Sequence, residues 1–213
     1  MTDAAGIASG MRALLAARAR ELAAGASPLG WKIGINMPAI QERMGIDAPV
    51  VGSLTTATQL ATGDTVAVGE ATYPVVEPEI AIRVGPSTSV AAVAPALELV
   101  DVNLPFDAVQ PILAGNVMHR GVVLGEPQPP GSAEGASVRV LREGAEEAAA
   151  DFDDDPAEVA RYVAGFLSTH GAALEAGHWI IAGSLTTPVP VAPGDSIEAN
   201  FGPLGSLALR FVS

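Results

Sequence analysis

Tyr73-Pro74-Val75-Val76-Glu77-Pro78-Glu79-Ile80-Ala81-Ile82-Arg83-Val84 is the stretch on which the reading of this chain turns. Its β-branched residues predict a strand. Alternate side chains of a strand share a face, so Glu77 and Glu79 project together. Neighbouring carboxylates repel unless a cation or a proton comes between them. Flanked by Val75, Val76, Ile80 and Ile82, the pair is expected in an apolar surround, where water cannot relieve the repulsion. A hard divalent cation with oxygen ligands, Mg²⁺ or Mn²⁺, would answer that need. The competing reading is an exposed acidic edge broken by Pro78. Spacing within Glu-x-Glu does not separate the two.

Outward from this strand lie other candidates. Pro95-Ala96-Leu97-Glu98-Leu99-Val100-Asp101 sets a third glutamate inside an apolar run, although taken singly Glu98 fits a charge on a helix face. Lys32, the only lysine, sits in Trp31-Lys32-Ile33-Gly34-Ile35, a strand-like run. It is either a side chain snorkelling to solvent or a buried ammonium paired with an acid. Three carboxylates, one dication and one ammonium sum to zero, the balance a desolvated site requires. His119 and Arg120 precede a strand-like run at residues 121–124, where they would grip an acid and move a proton or form a surface turn. His170 ends a predicted helix and His178 lies in a turn, so both read as structural. The chain has no Gly-x-Ser-x-Gly, phosphate-binding loop, His-Glu-x-x-His or Gly-x-Gly-x-x-Gly motif.

Around these residues the pattern is α+β. Helices are predicted over residues 4–24, 38–44 and 156–170, the last with Asp155 as its N-cap. Strands are predicted over residues 31–35, 65–68, 73–84, 121–124, 138–141, 179–182, 196–201 and 207–212, and an exposed Pro/Gly loop over 126–136. A formal net charge of −13 disfavours nucleic acid and anionic membrane as partners. With no cysteine there is no disulfide frame, thiolate nucleophile or cysteine-based zinc site. The first residues lack a basic leader, and Arg12, Arg18 and Arg20 interrupt their apolar run, so a soluble, cytoplasmic protein is expected.

Taken together, five segments in order resemble the fumarylacetoacetate hydrolase superfamily, in its 2-oxopent-4-enoate hydratase and 4-oxalocrotonate decarboxylase branch. The first pairs Gly30-Trp31-Lys32-Ile33-Gly34 with Met44-Gly45-Ile46-Asp47-Ala48-Pro49. The second and third are Val76 to Ala81 and Pro95 to Asp101. The fourth is Asn116 with Val123-Leu124-Gly125, and the fifth runs from Gly177 through Ile181-Ala182-Gly183-Ser184-Leu185 to Pro193-Gly194-Asp195.

The resemblance implies a mixed β-roll with a few peripheral helices, a catalytic domain over residues 30–213 and a helical arm over 1–29. It implies Mg²⁺, or Mn²⁺, on Glu77, Glu79 and Glu98. Lys32 and His119 are then the catalytic candidates, with Arg120, Asn116, Ser184 and Leu185 for substrate. A 2-oxo acid would chelate the cation, which becomes an electron sink for an enolate. The implied protein is a homo-oligomeric lyase, a hydratase or decarboxylase. Its rivals are a C–C bond hydrolase, an oxaloacetate-type decarboxylase or isomerase, and a non-catalytic binding or assembly subunit that keeps the fold. Val50 stands where such hydratases commonly carry an acid, Gly115 where an aspartate usually precedes the asparagine, and Asn103 where an arginine is common. The loss at Val50 tilts the expectation towards decarboxylation.

Overall fold

The computed structural model describes residues 2–213. The chain begins with helix α1 (Ala4–Ala23), strand β1 (Pro28–Gly34), helix α2 (Pro38–Met44) and strands β2 (Val50–Thr55), β3 (Gln59–Leu60) and β4 (Thr65–Ala67). Two long strands follow, β5 (Pro74–Val84) and β6 (Val90–Asp101), then helix α3 (Val109–Ala114) and strands β7 (His119–Leu124), β8 (Ser137–Arg142) and β9 (Ala145–Asp151). Helix α4 (Pro156–Thr169) precedes β10 (Trp179–Ile181), β11 (Val189–Pro190), β12 (Ser196–Asn200) and β13 (Ser206–Val212). The α+β class with curled mixed sheets agrees with the expectation. Strands β2, β3, β6, β9 and β11 and helix α3 are additions to it.

One sheet has the order β2-β1-β10-β5-β6-β7-β3, with β11 also paired to β5. Its spine is the antiparallel pair β5–β6, in register from Pro74 opposite Asp101 to Arg83 opposite Ala92. Val76, Ile80, Ile82 and Leu97 in this pair have no exposed surface. Each such side chain contributes about 1.5–3 kcal/mol by leaving water. The second sheet has the order β4-β13-β12-β8-β9.

The helices tie the sheets down. Asp3 caps α1 by accepting a hydrogen bond from the Gly6 N–H at 2.9 Å. Met11 and Leu14 bury in the same core as β5 and β6, so α1 is packed into the body of the protein. Arg18, also buried, donates to the Leu54 carbonyl at 2.8 Å and lies 4.6 Å over the Trp31 ring. This guanidinium fixes β1 and β2, the strands that carry Lys32 and Gly52. At α4, Asp155 caps the first turn, Ala160, Val163 and Leu167 face the core, and the Tyr162 hydroxyl donates to the Pro49 carbonyl. Among the described residues, no helix is long and apolar enough to cross a membrane.

Candidate metal centre and active-site cavity

Register brings the three glutamates together. Glu77 lies directly opposite Glu98 across β5–β6, and Glu79 follows two residues along the same face of β5. One carboxylate oxygen from each lies within 4.8 Å of the others. Glu79 and Glu98 are fully buried. Glu79 accepts from the Gly183 N–H at 2.7 Å through Oε2, while its Oε1 has no partner. Glu98 accepts at Oε1 from Lys32 Nζ at 2.5 Å and from His119 Nδ1 at 2.6 Å, and its Oε2 has no partner.

A buried carboxylate oxygen without a donor is costly. Two of them beside Glu77 mark a place where a ligand belongs. All the oxygens on offer are hard anionic donors, which suits Mg²⁺ or Mn²⁺. The residues therefore fit a divalent cation.

The electrostatics agree. Burial first, and then neighbouring Glu98, pushes the Glu77 carboxyl up to about 7, against the pull of Lys32. Burial, Glu98 and Glu77 raise Glu79 well above the usual carboxylate range. Burial acts on Glu98 in the same sense, but Lys32 and the His119 hydrogen bond outweigh it and hold Glu98 below that range. For Lys32, burial opposes the charged form, and the three carboxylates overcome it and raise its pKa. Lys32 is thus an ammonium paired with an ionised Glu98, while without a cation Glu77 and Glu79 are shifted towards their protonated forms, whose protons a dication would replace.

Two backbone irregularities aim these groups. The β6–β7 register slips between Leu99 and Val100, so that two steps from His119 to Gly121 face one step on β6. Arg120 is the extra residue, and this bulge turns His119 onto the Glu98 face. The ionised Glu98 accepts only, so Nδ1 carries the proton. Nε2 lies 2.9 Å from the Thr58 hydroxyl. His119 is therefore held between two protein partners behind Glu98.

The second irregularity is a run of left-handed residues, Asn116, Val117 and Met118, at φ 53°, 51° and 60°. A β-branched residue in that region is strained, which is a mark of a backbone held for a purpose. The turn brings the Val117 carbonyl to 3.4 Å from Lys32 Nζ. Close passage of the lysine stem also explains Gly52, where an added Cβ would stand 2.8 Å from Lys32 Cγ.

Lys32 and Glu77 line a cavity of about 580 Å³ between β1, α2, the 116–118 turn and the 184–188 loop. Ser184 lines it as well. The other expected residues fall elsewhere. Asn116 clamps β2, with its amide accepting from the Ser53 N–H at 2.7 Å and donating to the Ser53 carbonyl at 2.9 Å. Leu185 gives its N–H to the Pro78 carbonyl at 2.9 Å and does not line the cavity. Arg120 points away from the glutamates and pairs with Asp101 at 3.0 Å, beside a separate cavity of about 560 Å³. Thr58, beside His119, and the Gly183 N–H, which meets Glu79, are contacts of the candidate site that sequence reasoning passed over. A threonine and a backbone amide carry no signal of their own, although Gly183 lies in one of the five resembling segments.

No protein-family model matches the chain. It is 29% identical over 218 residues to a 2-oxo-hept-4-ene-1,7-dioate hydratase of Escherichia coli, covering 90% of this chain and 82% of that protein. It is also 29% identical over 220 residues to a 2-keto-4-pentenoate hydratase of Paraburkholderia xenovorans, covering 91% and 80%. Among solved structures, it matches the 4-oxalocrotonate decarboxylase of Pseudomonas putida G7, complexed with magnesium and adipate, at a TM-score of 0.83 and 25% identity. That match covers 93% of this chain and 83% of the decarboxylase.

Proposed function

We propose that this chain is a metal-dependent lyase of the fumarylacetoacetate hydrolase superfamily, in its hydratase and decarboxylase branch, acting on a small 2-oxo or 2-hydroxy-alkenoic acid. The observation that carries this reading is the cluster of Glu77, Glu79 and Glu98, two of whose buried oxygens lack partners, at the head of a cavity. These three residues would hold Mg²⁺ or Mn²⁺. Bound there, the cation would act as a Lewis acid towards the carboxylate and 2-oxygen of the substrate.

The chain's own groups divide the remaining work. Lys32 engages Glu98 and the Val117 carbonyl, which leaves one ammonium N–H for an oxygen of the ligand in the cavity it lines. Facing the three carboxylates, whose charge raises its pKa, it is a donor that binds and orients. His119 positions Glu98 from behind. Apolar walls, among them Val75, Val100 and Val117, exclude water and strengthen the polar contacts at the cavity's head. Val50 is fully buried in β2 and does not line the cavity, so the choice between hydration and decarboxylation turns on the substrate's tail and not on that position.

The acidic, cysteine-free composition supports a cytoplasmic location. An apolar content of 49% supports assembly as a homo-oligomer, which a monomeric mass by light scattering at micromolar concentration would refute. The activity is tested by offering the Mg²⁺-loaded protein 2-hydroxypenta-2,4-dienoate and 2-oxohex-3-enedioate in parallel. Turnover of either supports a lyase, and turnover of neither by an intact, metal-loaded protein overturns it.

A further inference from the structure

Beyond Lys32 and Glu77 the cavity changes character. Its wall includes Ile40, Tyr73, Val75, Val102, Phe106 and Met118, and of its lining residues Met37 and Tyr73 are 57% and 52% exposed, which marks the solvent side. Among the described residues, Lys32 and Glu77 are the only charged side chains that line it. Lys32 is already committed to Glu98 at the buried end. None of the arginines lines it, and Arg120 is held by Asp101 beside the other cavity.

From this wall we infer that the enzyme takes a 2-oxo acid with a single carboxylate and an apolar tail, and discriminates against diacids. The inference rests on the 2-oxo acid reading of the site and sharpens it. A substrate's first carboxylate has Lys32 and the cation site at the head of the cavity. A second carboxylate would enter an apolar sleeve with no cation to meet it, and a buried charge without a partner is strongly disfavoured. The Asn36 amide and the hydroxyls of Ser184, Thr186 and Thr187 line the cavity too, but these neutral groups supply no counter-charge. The volume of about 580 Å³ leaves room for a tail of several carbons. A substrate with one carboxylate has none to expel at its far end, so the geometry favours hydration over decarboxylation.

The test compares two unreactive ligands of matched shape on Mg²⁺-loaded protein by calorimetry. 6-Methyl-2-oxoheptanoate ends in two methyl groups where 2-oxoadipate ends in a carboxylate. The expected result is tighter binding of the methyl-ended acid by roughly 100-fold, the scale of leaving a buried charge unpaired. The Tyr73→Arg variant, which adds a guanidinium at the exposed mouth, should bind 2-oxoadipate about tenfold better than the wild type does. Equal or tighter binding of 2-oxoadipate by the wild type overturns the inference but leaves the 2-oxo acid reading standing. Failure of Tyr73→Arg to gain affinity for the diacid overturns the assignment of the tail to this wall. Release of carbon dioxide from 2-oxohex-3-enedioate faster than any hydration of 2-hydroxyhexa-2,4-dienoate would also overturn it. If neither ligand binds, the 2-oxo acid reading itself fails, and this inference with it.

Discussion

Glu98 and Asp101 stand three residues apart at the end of β6, each meets a cation, and each has a cavity on its side of the sheet. They differ in what is left over. Asp101 is saturated: Oδ1 accepts from the Thr72 and Tyr73 N–H groups at 2.9 and 2.8 Å, and Oδ2 accepts from Arg120 at 3.0 Å. Its cation is half in solvent, with 54% of the Arg120 side chain exposed. Glu98 lies deeper, with a fully buried lysine, and still has an oxygen without a donor. Both are acid–base pairs on one strand, yet only one has a buried valence to spare. The spare valence, and not the number of charges, separates a site from a brace.

The largest stability effect that follows concerns Lys32. Lys32→Met removes the ammonium and leaves Glu98 buried with only the His119 N–H as partner. Without a divalent cation, denaturant unfolding should show a loss of about 3–5 kcal/mol. Saturating Mg²⁺ should return part of it. A loss under 1 kcal/mol would mean that the pair contributes far less than its burial implies.

A second prediction uses pH. Folding raises the Glu77 carboxyl to about 7 and Glu79 in the same direction, so the folded state binds more protons than the unfolded chain. Their contribution is fully present below the unfolded carboxylate pKa and is lost as pH rises through about 7. Glu98, held low, acts only at more acidic pH, where its contribution is lost as pH falls. Half-buried His170 and buried His178, both lowered by desolvation, act in the opposite sense below their usual range, so the comparison must be between variants. Without cation, the melting temperature of the wild type should fall relative to that of Glu77→Gln between pH 5 and about 7.5. With saturating Mg²⁺ that difference should shrink. Parallel curves in the absence of metal would remove the case for a proton-loaded cluster.

The smallest effects belong to the brace. Asp101→Asn should cost about 1–2 kcal/mol through lost charge-assisted hydrogen bonds. Arg120→Ala should cost no more than about 1 kcal/mol because the pair is partly solvated. Neither should alter Mg²⁺ affinity by more than about twofold, since each acts away from the spare oxygens. A larger change in metal binding would erase the contrast between the two sides of the sheet.

Where chemistry and period coincided, the sequence was legible. Glu77 and Glu79 announced a shared face because they stand two apart in a β-branched run, and the helix at α4 showed its N-cap in Asp155 and its core face in Val163. Strand β6 was opaque because Ala91, Ala92, Ala94 and Ala96 give no β signal and Pro95 argues against a strand, so Glu98 fitted a helix face as well. Strand β9, Ala145-Glu146-Glu147-Ala148-Ala149-Ala150-Asp151, has the composition of a helix and is a strand only because β8 pairs with it. His119 and Arg120 are neighbours in sequence and part company in space through a bulge that no residue type reports. Asn116 and Leu185 fell outside the cavity lining for a related reason, because main-chain hydrogen bonds set their places.

The central claim is that Glu77, Glu79 and Glu98 together form one divalent-cation site. Calorimetric titration of Mg²⁺ into the metal-free wild type, and into the Glu77→Ala, Glu79→Ala double variant, tests it most directly. The account predicts one ion per chain for the wild type, proton release near neutral pH, and affinity weakened by more than about 100-fold in the variant, beyond what loss of a merely supporting partner produces. Unchanged Mg²⁺ affinity in a folded double variant would contradict it.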